Sequence, residues 1–237
     1  MKTKIQRANE RGIASHGWLN THHSFSFGSW YDPEKIHFGA LRVLNDDEIA
    51  AGEGFGTHPH DNMEIVTIPL SGAIAHKDST GTDGIIKTGD VQIMSAGTGI
   101  RHSEFNASKT EALHLFQLWV IPKLQNIQPR YAQKTFNVEE RKNKWQIVVS
   151  PDETDGGVWI NQDSVFSLSQ AEKETMLTYK NKFAGNGVYL MVIDGEVQVN
   201  GETLHKRDAM EVSDANEFKI KINSTSNLLA VEVPMLK

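Results

Sequence analysis

The sequence contains no cysteine. Disulfides, thiolate metal sites and a cysteine nucleophile are therefore excluded. It has no run of about 18 apolar residues, so nothing in it is expected to span a membrane. The opening stretch, MKTKIQRANERG, is charged and has no apolar core of the kind a secretory signal needs. A cytoplasmic location is the expectation. Positive charge is not in excess: 24 lysines and arginines stand against 30 acidic residues, for a net charge of −6. The basic footprint of a direct nucleic-acid binder is missing. No long segment keeps a 3.6-residue apolar period, which excludes a helical bundle.

What is present is a chain of 237 residues, 38% hydrophobic and 23% charged, the balance of a globular protein with a core. The length suits one large all-β domain or two of roughly 100–120 residues. Apolar runs are short: IHFGALRVL (36–44), MEIVTIPL (63–70), DVQIM (90–94), LHLFQLWVIP (113–122), VYLMVIDGEVQV (188–199) and LLAVEV (228–233). Gly, Asp and Asn punctuate them, as in all-β sandwiches and barrels. LHLFQLWVI is apolar on both faces and reads as a central strand. The polar stretch 127–144 reads as the connection between two halves, with a short helical turn.

The halves look like copies. Residues 41–72 and 165–195 each run from a strand through a polar hairpin to an apolar strand ending at glycine, Gly72 or Gly195. Asp90 and Asp208 each precede a further apolar strand. Aligned on the two glycines, His58 and His60 fall at Asn181 and Phe183; a one-residue slip gives Lys180 and Lys182. Neither choice supplies a ligand pair.

Ten histidines make metal binding the first question, because imidazole is the commonest metal-ligating side chain. In GTHPHDNME, residues 56–64, His58 and His60 flank a proline. Side chains at i and i+2 of a strand share a face, so both rings converge while Pro59 points away. Proline has no N–H for a ladder, which places this segment at an edge. RHSEFN, residues 101–106, repeats the spacing with His102 and Glu104. The glycines of MSAGTGI before it allow a tight bend that aims this second pair inward. On neighbouring strands the two pairs would bring three imidazoles and one carboxylate together. That donor set suits Fe(II), Mn, Co, Ni, Cu or Zn, and ligand type alone does not choose among them.

Among the other histidines, His22 and His23 are candidates to orient the metal-bearing rings by hydrogen bonding. His37 and His114 read as structural, His76 as solvated near a hairpin tip, and His16 and His205 carry no signal. Phe25, Phe27, Trp30 and Met63 lie near the ligands in sequence and are candidates for an apolar mouth.

These segments resemble the cupin superfamily, and within it the pirin family. Gly52, His58, His60, Glu64 and Gly72 follow the first cupin motif, with the last gap one residue longer. Gly89, Gly97, His102 and Asn106 follow the second, with Ser95 in place of its proline and two extra residues before His102. That lengthened approach, and HHSFSFGSWYDPEKIHFGALRVLNDD (22–47), are similar to pirins. The resemblance implies an all-β bicupin of two packed β-barrels: a metal-binding barrel over 1–126, a connection over 127–144, and a degenerate barrel without ligands over 145–237. It implies one divalent transition metal, Fe(II) first, held by His58, His60, His102 and Glu104. Glu104 takes the role that Glu64 has in ordinary cupins, and is also the catalytic residue. The activity implied is that of quercetin 2,3-dioxygenases, which open a flavonol ring with O2 and release carbon monoxide. A cytoplasmic monomer with no nucleic-acid or membrane partner fits this. The alternative is an iron-binding regulator or redox sensor that acts through protein partners.

Overall fold

Short apolar runs bounded by turn residues become strands almost everywhere in the computed structural model, which describes residues 1–236. It holds 22 strands and three short 3-10 turns, with no α-helix among the described residues. The architecture expected from the sequence, two β-barrels packed together, is the one observed.

Each half combines a seven-stranded and a four-stranded sheet, in matching order. The N-terminal large sheet runs Arg130–Thr135, Asp90–Ser95, Glu64–Ser71, Leu113–Val120, Leu41–Ile49, Leu19–His23, Gly12–Ser15. Its C-terminal counterpart runs Lys2–Gln6, Ala209–Ser213, Asn186–Asp194, Ser226–Pro234, Val165–Ala171, Gln146–Ser150, Val158–Trp159. Leu113–Val120 is the middle strand of its sheet, which accounts for its two apolar faces. Gly72 and Gly195 sit at the same turn in the two halves, with φ of +80° and +94°, a region open mainly to glycine. Asp90 and Asp208 also match: each carboxylate accepts the backbone N–H three residues earlier, from Lys87 and His205.

The repeat alignment needs a correction. Asp61–Met63 connects strands Gly54–His60 and Glu64–Ser71, whereas Asn181–Gly185 makes the equivalent connection between Met176–Lys180 and Asn186–Asp194. The second loop is two residues longer, so counting back from the glycines stops two residues short. By cross-strand pairing, His58 opposite His102 corresponds to Tyr179 opposite Phe218.

The two large sheets face each other. Leu44, Ile68, Ile93, Phe116 and Leu118 from one half and Phe166, Leu168, Tyr189, Met191 and Leu229 from the other form one apolar core. Each such side chain contributes about 1.5–3 kcal/mol on burial. A polar knot seals one edge. Asp46 takes Arg207 Nε at 2.8 Å, Arg11 at 3.1 Å and His114 Nε2 at 2.8 Å, and Arg207 comes from the C-terminal half.

The connection 127–144 is more structured than its polarity suggested. Arg130–Thr135 is an edge strand paired with Asp90–Ser95, and Val138–Arg141 is a 3-10 turn. Its polar residues are used: Gln133 Nε2 and Thr135 Oγ1 both donate to Asp90. At the other end of the first half, Lys2–Gln6 pairs with Ala209–Ser213 of the C-terminal sheet.

The barrel interiors differ. The C-terminal one is a single apolar cluster that includes Tyr179, Val199, Phe218 and Ile220. The N-terminal one is split into two small clusters, around Ile49, Ile74 and Leu115 and around Ile65, Met94 and Ile100.

Candidate metal centre

Polar side chains occupy the space between those two small clusters. Strand Gly54–His60 is the edge of the smaller sheet, as Pro59 requires, and it pairs with Ile100–Asn106 so that His58 lies opposite His102. The register slips between His102 and Glu104, a bulge that re-aims the carboxylate. Gly97 makes the preceding bend possible. Its φ is +49°, and a Cβ there would lie 2.0 Å from the Ile127 carbonyl oxygen.

Of the four expected residues, His58, His60 and His102 come together in one group. The ring centroids of His58 and His102 are 4.4 Å apart, and His60 is 4.9 Å from each. One nitrogen from each of these rings lies within 4.8 Å of the other two. His102 and Glu104 form a second such group, with His76. His76 corrects the sequence reading: it is 1% exposed, facing the barrel interior opposite Glu104.

The donor chemistry fits a cation. His58 Nδ1–H donates to the Gly56 carbonyl at 2.8 Å, which leaves Nε2 as a free lone pair. Both ring nitrogens of His102 are buried without a hydrogen-bond partner. Such an orphan costs about 1–3 kcal/mol, which a cation would relieve. Burial, reinforced by the neighbouring rings, pulls His60 down to about 4 and His102 down to about 3, so both are neutral at ordinary pH. Burial pushes Glu104 up to about 7, against a hydrogen bond from Gln117 Nε2 to its Oε2 at 2.8 Å. Glu64 points elsewhere, accepting from Ser95 Oγ and the Asn161 N–H.

The group opens on a cavity of about 240 Å³. Phe27, Phe55 and Trp119 form its apolar walls, and Thr21, Asn45, Asp47 and Gln117 its polar side. Burial also pushes Asp47 up to about 7. His23 Nδ1 binds Asn45 Oδ1 at 2.8 Å on the cavity wall, whereas His22 lies beside Asp46 at the seam between the barrels. Of the proposed mouth residues only Phe27 lines this cavity. Trp30 and Met63 line a neighbouring one, and Phe25 packs on Tyr189 in the shared core. Sequence reasoning missed Gln117 and Trp119. Their signal was parity with Leu113 and Leu115 on a strand whose other face is the shared core.

The equivalent space in the C-terminal barrel holds no cluster of imidazoles and carboxylates among the described residues. Cross-strand pairing puts Tyr179, Asn181, Phe218 and Ile220 where the first barrel has His58, His60, His102 and Glu104.

Residues 4–120 match the family model for pirin, and residues 147–233 match that for the quercetinase C-terminal cupin domain. The chain belongs to the pirin family. This pirin is 44% identical over 230 residues to quercetin 2,3-dioxygenase of Escherichia coli K12, covering 97% of this chain and 98% of that one. The crystal structure of YhhW from E. coli superposes with a TM-score of 0.94 at 42% identity, covering 99% of each chain. A crystal structure of the bacterial pirin YhhW in complex with nickel(II) superposes with a TM-score of 0.93, covering 99% of this pirin and 100% of that chain.

Proposed function

We propose that this pirin is a metal-dependent dioxygenase of the quercetin 2,3-dioxygenase type, opening a flavonol-like ring with O2 and releasing carbon monoxide. His58, His60, His102 and Glu104 would hold one divalent transition metal. Fe(II) comes first, ahead of Cu, Mn, Co, Ni and Zn. The observation that carries the reading is the meeting of the His58, His60 and His102 imidazoles, with the buried Glu104 carboxyl grouped with His102, beside an aromatic-lined cavity. The 44% identity to an E. coli protein of that name supports it. We read 1–126 as the metal-bearing barrel, 127–144 as the connection and 145–237 as a barrel that has lost the site. On the net charge of −6, we read the protein as having no direct nucleic-acid partner, and we further read it as a cytoplasmic monomer without a membrane partner.

When bound, the metal would supply Lewis acidity toward an oxygen of the substrate. The chain's own residues do the rest. His60 and His102, held neutral, keep their lone pairs available over the whole neutral range. Glu104 would take the acidic enol proton of a flavonol. Gln117 fixes that carboxyl by donating to Oε2, and Trp119 Nε1–H holds Gln117 Oε1 at 3.1 Å. Phe27, Phe55 and Trp119 sandwich a flat ring and exclude water. At about 240 Å³ the cavity is below the usual range for a whole drug-sized ligand, roughly 300 Å³ upward. The reacting ring enters and the remainder sits at the mouth.

The test is metal loading followed by aerobic incubation with quercetin. The expected outcome is loss of flavonol absorbance with CO release, reduced at least 100-fold in His58→Ala and Glu104→Gln. No turnover with any of the six metals would sink this reading and favour the metal-bearing regulator.

A further inference from the structure

His102 is the one imidazole shared by both donor groups, and both its nitrogens lack a partner. When one nitrogen binds a metal, the other carries a proton and needs an acceptor. The surroundings offer few. Glu104 Oε2 is taken by Gln117. Asp78, opposite His102 in the register, is saturated as well. Its Oδ1 accepts from Thr80 N, Thr80 Oγ1 and Thr82 N, and its Oδ2 accepts from His76 Nε2–H at 3.0 Å. That last bond fixes the tautomer of His76: Nε2 holds the proton, so Nδ1 is a bare acceptor. Nδ1 is also buried without a partner. The two rings lie with centroids 5.3 Å apart, and the Tyr131 ring covers His76 from another side at 5.0 Å.

We propose that His76, locked by Asp78, is the positioning residue for His102: its Nδ1 accepts the N–H of the His102 nitrogen turned away from the metal. A small rotation of His102 closes the remaining gap to the usual N–H···N reach of about 2.9–3.2 Å. The proton stays on His102 throughout, and no bond is made or broken. The inference rests on the metal reading above. It adds a line of support, Asp78 to His76 to His102, from two buried residues that do not line the cavity.

The order of the bonds allows a sharp test. Three donors hold Asp78 Oδ1, so in Asp78→Asn the carbonyl oxygen stays with them and the new NH2 faces His76. His76 must then accept at Nε2 and carry its proton on Nδ1, pointing a donor at the donor of His102. The variant keeps the shape and inverts the polarity.

The measurement is the affinity of the full-length protein for Co(II), by chelator competition and by its ligand-field absorption. Circular dichroism of each metal-free variant checks the fold. Asp78→Asn and His76→Leu should each weaken Co(II) binding about 10–100-fold, the usual cost of losing such a partner. His76→Asn, with an amide oxygen close to the place of Nδ1, should recover most of the loss. Affinities within twofold of the parent in both Asp78→Asn and His76→Leu overturn the proposal. So does a His76→Leu spectrum showing one fewer imidazole on the metal, which would make His76 a ligand. If His76→Leu does not fold, 15N NMR of the Co(II)-free parent decides: an unprotonated His76 Nδ1 supports the proposal and a protonated one overturns it. A parent that binds no Co(II), Ni(II) or Fe(II) overturns the metal reading itself, an outcome distinct from tight binding that ignores Asp78.

Discussion

Asp46 shows how one side chain can carry much of the pH response of this protein. It faces away from the barrel interior, since it alternates with Asn45 and Asp47, and meets Arg11, Arg207 and His114 at the seam. Burial alone would raise its pKa, but the His114 hydrogen bond and the two guanidinium groups outweigh it, bringing the carboxyl to about 2 from 3.8. Burial pushes Arg207 below its ordinary value, yet it stays charged wherever the protein folds, so the carboxylate sets the pH dependence. A depressed carboxylate stabilises the fold fully above its unfolded pKa and loses that contribution as pH falls through the folded one. The window here is about pH 4 down to about pH 2, and the contribution is on the order of 2 kcal/mol. Asp46→Asn should therefore lower stability at pH 7 by roughly that amount and flatten the acid limb of a urea-unfolding series between pH 4 and 2. An unchanged limb would show that the knot does not titrate in this range.

At the scale of elements, the two halves use one pattern with different tolerances. Gly72 and Gly195 make the same turn, but an added Cβ would lie 3.3 Å from Leu113 Cα at the first and 2.3 Å from Ser226 Oγ at the second. Gly72→Ala should cost about 1–2 kcal/mol, the left-handed penalty alone. Gly195→Ala should cost about 1–3 kcal/mol more, because the backbone at Thr225 and Ser226 must shift as well as the Ser226 hydroxyl. Denaturant midpoints with unchanged m-values would measure both. The elements also explain what could be read from the chain. The i, i+2 spacing of His58 with His60 and of His102 with Glu104 is a local property of strands, so the face they share was legible. The neighbour of Glu104 across the sheet was not. His76 looked solvated because the hairpin tip is only a few residues on, while its inward direction comes from pairing with strand Ile100–Asn106. The repeat was visible as a pattern of strands and turns, but a loop two residues longer moved the counterparts of the ligands out of register. Gln133 and Thr135 looked like linker residues because an edge strand can be polar and still be fully paired.

At the scale of the whole molecule, the two barrels share their largest apolar core. Neither large sheet has another cover for that face. The fragment 145–237, expressed alone, should expose Phe166, Leu168, Met191 and Leu229 and aggregate or stay molten, read by dye binding and NMR dispersion. A soluble, well-dispersed fragment would show that the shared core is dispensable. The fragment would also lack Lys2–Gln6, the edge strand of its own sheet. That pairing has a consequence in time. During synthesis, Lys2–Gln6 is made long before Ala209–Ser213, its partner in the sheet. That strand must wait, unpaired, until the partner follows. Its alternating lysines, Lys2 and Lys4, keep such a waiting edge soluble and discourage pairing with a neighbouring nascent chain. The two halves are thus clasped only after Ala209–Ser213 has been made, by a pairing between segments far apart in the chain.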